Sequence, residues 1–143
     1  MRLPDFFIVG APKGGTTSAC HYLAQHPDIF LSGVKEPNHF ASDSIRDQQL
    51  YYDIDVVADD ADYAALFKDA GAFEAVGEAS VSYLFYPEAC QRIRATCPEA
   101  RILVFLRDPA ERAFSHYLMD ERLGLVKESL ETIVSAGAIS GQG

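Results

Sequence analysis

Nowhere in these 143 residues does an apolar run approach the ~20 residues that a membrane-spanning helix needs. Basic charge is scarce as well. Lys and Arg number 12 against 21 Asp and Glu, a net charge of −9, so the overall field favours neither nucleic acid nor an anionic membrane. Cysteine is limited to Cys20, Cys90 and Cys97, an odd count without metal-ligand spacing. Two fall in predicted helices and the third follows one, so they read as buried or half-buried thiols in a reducing compartment. No charged, apolar leader precedes the first predicted strand, which reads as the absence of a signal peptide. Internal repeats are lacking, and the one low-complexity stretch is the small-residue tail at 135–143. The remainder is ordinary for one globular domain, 48% apolar and 23% charged.

What the chain does have is a stretch at Gly10-Ala-Pro-Lys-Gly-Gly-Thr-Thr17. It follows the apolar run Phe6–Val9 and precedes an amphipathic segment, Ser18–Gln25. This is the order strand, glycine-rich loop, helix, and such loops hold phosphate through backbone N–H groups and a helix N-terminus. A nucleotide-triphosphatase loop reads G-x-x-x-x-G-K-[ST]. Here Gly10 and Gly15 keep the glycine spacing, but Thr16 stands where the lysine belongs. The lysine lies inside the loop, at Lys13, where it reaches a bridging or terminal phosphate oxygen. Thr17 retains the hydroxyl type that ligates Mg²⁺ in the triphosphatases.

The segment Phe7–Ser18 resembles the 5′-phosphosulfate loop of sulfotransferases that use 3′-phosphoadenosine 5′-phosphosulfate (PAPS). The likeness is to the Golgi-type carbohydrate sulfotransferases, including the heparan sulfate group, and their bacterial relatives. It implies an α/β fold of the P-loop NTPase-like type, a three-layer sandwich around a central parallel sheet. It also implies that Lys13, Gly14, Gly15, Thr16, Thr17 and Ser18 bind the donor.

Two further stretches extend the resemblance. Val34-Lys-Glu-Pro-Asn-His-Phe40 is a loop or strand exit, since Glu36 and Pro37 do not share a helix interior. The family has lysine-glutamate-proline followed by a histidine-aromatic pair here, and its glutamate is the proposed general base of the heparan-type enzymes. That role maps to Glu36. Asn38 is a departure, standing between Pro37 and His39. Lys35 reads as an acceptor-site cation or a solvated side chain. His39 reads as a partner of Glu36, a substrate contact or neither.

The second stretch is Arg101–Tyr117. An apolar strand at 102–106 delivers Arg107, Pro109 opens a helix, and Ser115 lies about two turns along it. This resembles the family's 3′-phosphate site, where the arginine and serine bind PAPS. A guanidinium suits the task because it is always charged and offers paired donors. Phe114, Tyr117 and Leu118 are spaced as the buried face of that helix.

The aromatic pair Tyr51 and Tyr52 matches a cleft-lining region of the family, or simple core packing. Glu78, leaving a second buried strand, faces the acceptor by resemblance, or is a satisfied strand-end acid. Helices are predicted over about 16–25, 61–69, 87–95 and 128–136.

The resemblance implies PAPS as co-substrate, no metal, and an unknown hydroxyl or amine acceptor, such as a carbohydrate or small molecule. The negative charge argues mildly against a highly sulfated polymer. The alternatives are a P-loop kinase or NTPase, and a non-catalytic nucleotide-binding remnant. The family's later loop, which closes over the 3′-phosphate and adenine, has no counterpart after residue 120. We therefore read the chain as one sulfotransferase domain, 1–143, in its N-terminal part, with a flexible tail from about 135. Without the anchor of the Golgi members, it reads as a cytoplasmic, bacterial protein.

Overall fold

The computed structural model describes residues 2–48 and 54–140. Tyr51 and Tyr52 lie outside the described residues. The chain forms two compact units, Met1–Leu106 and Arg107–Gly143.

The first unit is built on four strands: β1 (Phe6–Gly10), β2 (Ile29–Leu31), β3 (Ala75–Ala79) and β4 (Arg101–Val104). All pair in parallel, in the order β2-β3-β1-β4. This is the α/β architecture with a parallel sheet that the loop motif implies. β1 is apolar on both faces and buried at every residue, as a strand covered on both faces must be. From β1 the chain passes to the β2-β3 side and returns on the opposite side as β4. The gap between β1 and β4 is therefore a topological switch point. Open parallel sheets bind ligands at the carboxyl end of such a point, and the loop after Gly10 starts there.

Among the described residues this unit also holds the α-helices α1 (Thr16–Leu23), α2 (Ser42–Asp47), α3 (Asp60–Ala65) and α4 (Pro87–Thr96). Asp59 caps α3, accepting from the N–H groups of Ala61 and Asp62 at 2.8 and 3.0 Å. Pro87 opens α4, where its missing N–H costs nothing.

One face of the sheet packs on an aromatic core centred on Phe40. Its ring meets those of Phe7, Tyr63 and Tyr83 at 5.7, 5.4 and 5.9 Å, all near edge-to-face. The Arg92 guanidinium lies 5.8 Å from the same ring. On the opposite face Phe6 covers Gly77, where an added Cβ would come within 2.1 Å of the ring.

The apolar run at 102–106 is strand only as far as Val104. Ile102 is 51% exposed and Val104 44%, unlike β1. An apolar run is buried on both faces only when layers cover both. β4 stands at the end of the described strand order.

The second unit contains α5 (Pro109–Arg122) and α6 (Leu130–Ser140). Gly124, at φ 74°, ends α5, with Leu125 N–H donating to the Asp120 carbonyl at 2.9 Å. Phe114 and Leu118, predicted as a buried face, are exposed. The segment predicted as a tail from 135 is helical as far as Ser140. No helix among the described residues is long and apolar enough to cross a membrane.

Candidate functional site

The loop at the end of β1 is shaped by two glycines. The Gly10 carbonyl accepts from Phe105 N–H at 2.8 Å, and Ala11 N–H donates to the Phe105 carbonyl at 2.9 Å, so the loop starts pinned to the strand beside it. Gly14 N–H then turns back to the Ala11 carbonyl at 2.9 Å. A Cβ at Gly14 would sit 2.4 Å from the Phe105 carbonyl oxygen, a collision with fixed backbone. Gly15 takes φ 97° at the start of α1. Lys13, half-buried at the loop tip, is left-handed at φ 60°.

α1 begins without a side-chain cap and without an acidic residue in its first turn. Helix N-termini leave their first N–H groups without intrahelical partners and carry partial positive charge. The amides of Thr16, Thr17 and Ser18 are thus arranged as an anion site. Thr16 is buried, whereas Thr17 and Ser18 face solvent. The residues fit a phosphosulfate: a cradle that a Cβ would fill, an uncapped helix start, and Lys13 in the loop.

A second cation stands at the same loop. Lys35 Nζ donates to Thr17 Oγ1 at 2.9 Å. The neighbouring Glu36 is half-buried, and its N–H donates to the Ala79 carbonyl at 3.0 Å, at the end of β3. The Cys20 thiol on α1 feels both side chains. Burial pushes it up most, the Lys35 ammonium opposes, and the Glu36 carboxylate adds to the rise. Lys35 and Glu36 therefore gather beside α1, with Lys35 directly on the anion loop.

His39 and Glu78 are both buried. His39 is buried, with its ring stacked on Tyr63 at 4.0 Å and 8°. Its Nδ1 donates to the Val57 carbonyl at 2.8 Å, and Nε2 lies 3.4 Å from Asp60 Oδ1. Burial chiefly pulls its pKa down. It packs against the core, and among the described residues it makes no bond to Glu36.

Glu78 is fully buried. Tyr63 and Tyr83 hydroxyls donate to its Oε2 at 2.8 and 3.1 Å, and Ser80 Oγ donates to Oε1 at 2.5 Å. Burial raises its carboxyl to about 7, and the three hydroxyls oppose that rise without cancelling it. The folded-state value thus lies above the ordinary 4.5. Stability from this group is fully present below pH 4.5 and is lost as pH rises through about 7. At ~1.4 kcal/mol per pH unit, the full loss is about 3 kcal/mol. Glu78→Gln is neutral at every pH. Urea unfolding from pH 4 to 8 should show the stability difference, wild type minus variant, falling across that window. A flat difference contradicts the assignment. His39, with its lowered pKa, has the opposite sign and cancels between the two proteins.

In the second unit, Asp108 caps α5, its Oδ1 accepting from the N–H groups of Ala110 and Glu111 at 3.0 Å each. Arg107 is thereby fixed just before the helix, with Nε donating to Glu111 Oε2 at 3.2 Å. This exposed pair is worth at most ~0.5 kcal/mol. Ser115 is half-buried on α5.

Asn38 stood out in the sequence only as a departure from the motif, and Ser80, Ser82, Tyr63 and Tyr83 did not stand out as a group. Asparagine's tolerance of left-handed backbone was the one available signal at 38. The others lie too far along the chain to be paired from spacing.

A model of the sulfotransferase family matches residues 4–134. The chain belongs to the sulfotransferase family. A crystal structure of a sulfotransferase from Alicyclobacillus acidocaldarius matches with a TM-score of 0.82 and 40% identity, over 92% of this chain and 56% of that one. Membrane-associated sulfotransferase kil1 of Dictyostelium discoideum is 33% identical over 118 residues, 80% of this chain and 22% of that protein. The mouse bifunctional heparan sulfate N-deacetylase/N-sulfotransferase 3 is 31% identical over 140 residues, 95% of this chain and 16% of that protein. This family member therefore spans just over half of its structural neighbour and less than a quarter of either curated relative.

Proposed function

We propose that this family member binds PAPS and carries the donor-binding and base residues for transfer of its sulfuryl group to a hydroxyl or amine acceptor. Lys13 and the amides of Gly14, Gly15, Thr16, Thr17 and Ser18 take the 5′-phosphosulfate. Arg107 and Ser115 take the 3′-phosphate. Glu36 accepts the acceptor's proton while the acceptor oxygen or nitrogen bonds to sulfur. The bond from sulfur to the bridging oxygen breaks in line. Its electron pair stays on the leaving 3′-phosphoadenosine 5′-phosphate (PAP), where Lys13 stabilises the charge.

The observation that carries this reading is the Lys35 ammonium on Thr17 Oγ1. In a triphosphatase that hydroxyl position serves Mg²⁺. Here an ammonium group bonds to that hydroxyl, and the loop lysine is Lys13. A sulfuryl group in transfer carries less negative charge than a phosphoryl group, so two ammonium groups and the loop amides suffice without a metal clamp. A carbohydrate acceptor is favoured because the heparan sulfate relative, by its name, acts on one. Three free thiols accord with a reducing cytoplasm.

The test is nucleotide discrimination. Wild type should bind PAP more tightly than 5′-AMP, which lacks the 3′-phosphate. Arg107→Ala should lose ~10–100-fold of PAP affinity, as for a charge-assisted hydrogen bond, and leave AMP unaffected. Equal losses for both nucleotides contradict the assignment of Arg107.

A further inference from the structure

We propose that Asn38 is a positioning residue that locks Glu36, through a buried network, in the conformation needed by the base. The proposal rests on the reading of Glu36 as base.

Glu36 and Asn38 are both left-handed, at φ 55° and 53°, on either side of Pro37. That backbone is costly for a residue with a Cβ and persists only where its surroundings enforce it. The enforcement is visible. Asn38 is 2% exposed, and its Nδ2 donates both protons, to the Glu36 carbonyl at 2.8 Å and the Asp55 carbonyl at 3.1 Å. Its Oδ1 accepts from Ser82 Oγ at 2.6 Å. Its backbone N–H donates to Ser80 Oγ at 3.0 Å, and Ser80 in turn donates to the buried Glu78 carboxyl. Glu36 is thus gripped at both peptide groups, its N–H by Ala79 and its carbonyl by Asn38.

The grip is on backbone, while the carboxylate has no hydrogen bond or ion pair among the described residues. That is the arrangement a base requires, a fixed main chain and a side chain left for the acceptor. Both Asn38 amide protons are committed, so the residue has none left to offer a substrate. Aspartate would aim a carboxylate at two carbonyls, and glycine would keep the backbone but drop every side-chain bond. Asparagine alone among these supplies both donors and tolerates the conformation.

The experiment compares Asn38→Gly, the milder Ser82→Ala, Glu36→Gln, and the double variant Asn38→Gly/Glu36→Gln in the full chain. Three quantities are read: PAP release from PAPS with water as acceptor, PAP affinity, and hydrogen exchange at the Glu36 amide. Asn38→Gly should lower turnover on the order of 10–100-fold, the scale of a misplaced reacting group. PAP affinity should hold, and the Glu36 amide should exchange faster. Ser82→Ala should show the same changes to a smaller degree. Added to Glu36→Gln, Asn38→Gly should cost nothing more.

Turnover at the wild-type rate in Asn38→Gly, beside an inactive Glu36→Gln, overturns the positioning role and spares the base. Unchanged exchange at Glu36 overturns it whatever the turnover. Parallel loss of rate and PAP affinity also overturns it, in favour of general disruption. Full activity in Glu36→Gln removes the base reading itself, and this inference with it.

Discussion

Glu36→Gln is expected to slow sulfuryl transfer by ~10²–10⁴-fold, the range of a positioned general base, with PAP affinity unchanged. The substitution keeps the side chain's size and removes its basicity. Its main-chain bond to Ala79 is untouched, and so is the contact from Asn38. The anion loop depends on neither. Rate and nucleotide binding should therefore separate cleanly, in single-turnover transfer measured beside PAP calorimetry. Loss of PAP affinity with the rate would instead make Glu36 a structural support of the loop.

Lys13→Ala should cost ~10²–10³-fold in transfer, comparable to removing one preorganised donor from a developing anion. Some PAP binding should survive, because the loop amides and the start of α1 remain. Lys35, held on Thr17 at 2.9 Å, also stays as a second cation at the loop. Transfer at the wild-type rate in this variant would remove Lys13 from the mechanism. Comparison with Lys35→Ala then shows how the two ammonium groups divide the charge. The group nearer the breaking bond should matter more to rate than to affinity.

The parts of the molecule that were legible in the sequence are those set by local grammar. An apolar run with no alternation read as a buried parallel strand, and β1 is buried at every residue. The glycine spacing gave a loop, and Gly14 is the position where backbone leaves no room for a Cβ. Pro109 marked the start of α5, and Asp108 before it caps the helix. What failed to be legible was environment. Ile102 and Val104 look like Phe7 and Val9 in one dimension, yet they lie on a strand at the end of the described order and are exposed. Glu78 read as a strand-end acid that faced the acceptor or was already satisfied. Its partners Tyr63 and Tyr83 come from segments on either side of β3 and enclose it in the core. Asn38 looked like an insertion into a motif. Its bonds to Asp55 and Ser82 show it as a fastening between loops 17 and 44 residues away.

The central claim, that this chain is built for PAPS, is tested most directly by calorimetric titration with PAP and, separately, with ATP plus Mg²⁺. PAP binding should not depend on metal and should exceed the binding of ATP. Binding of ATP with Mg²⁺ alone, and none of PAP, would contradict it.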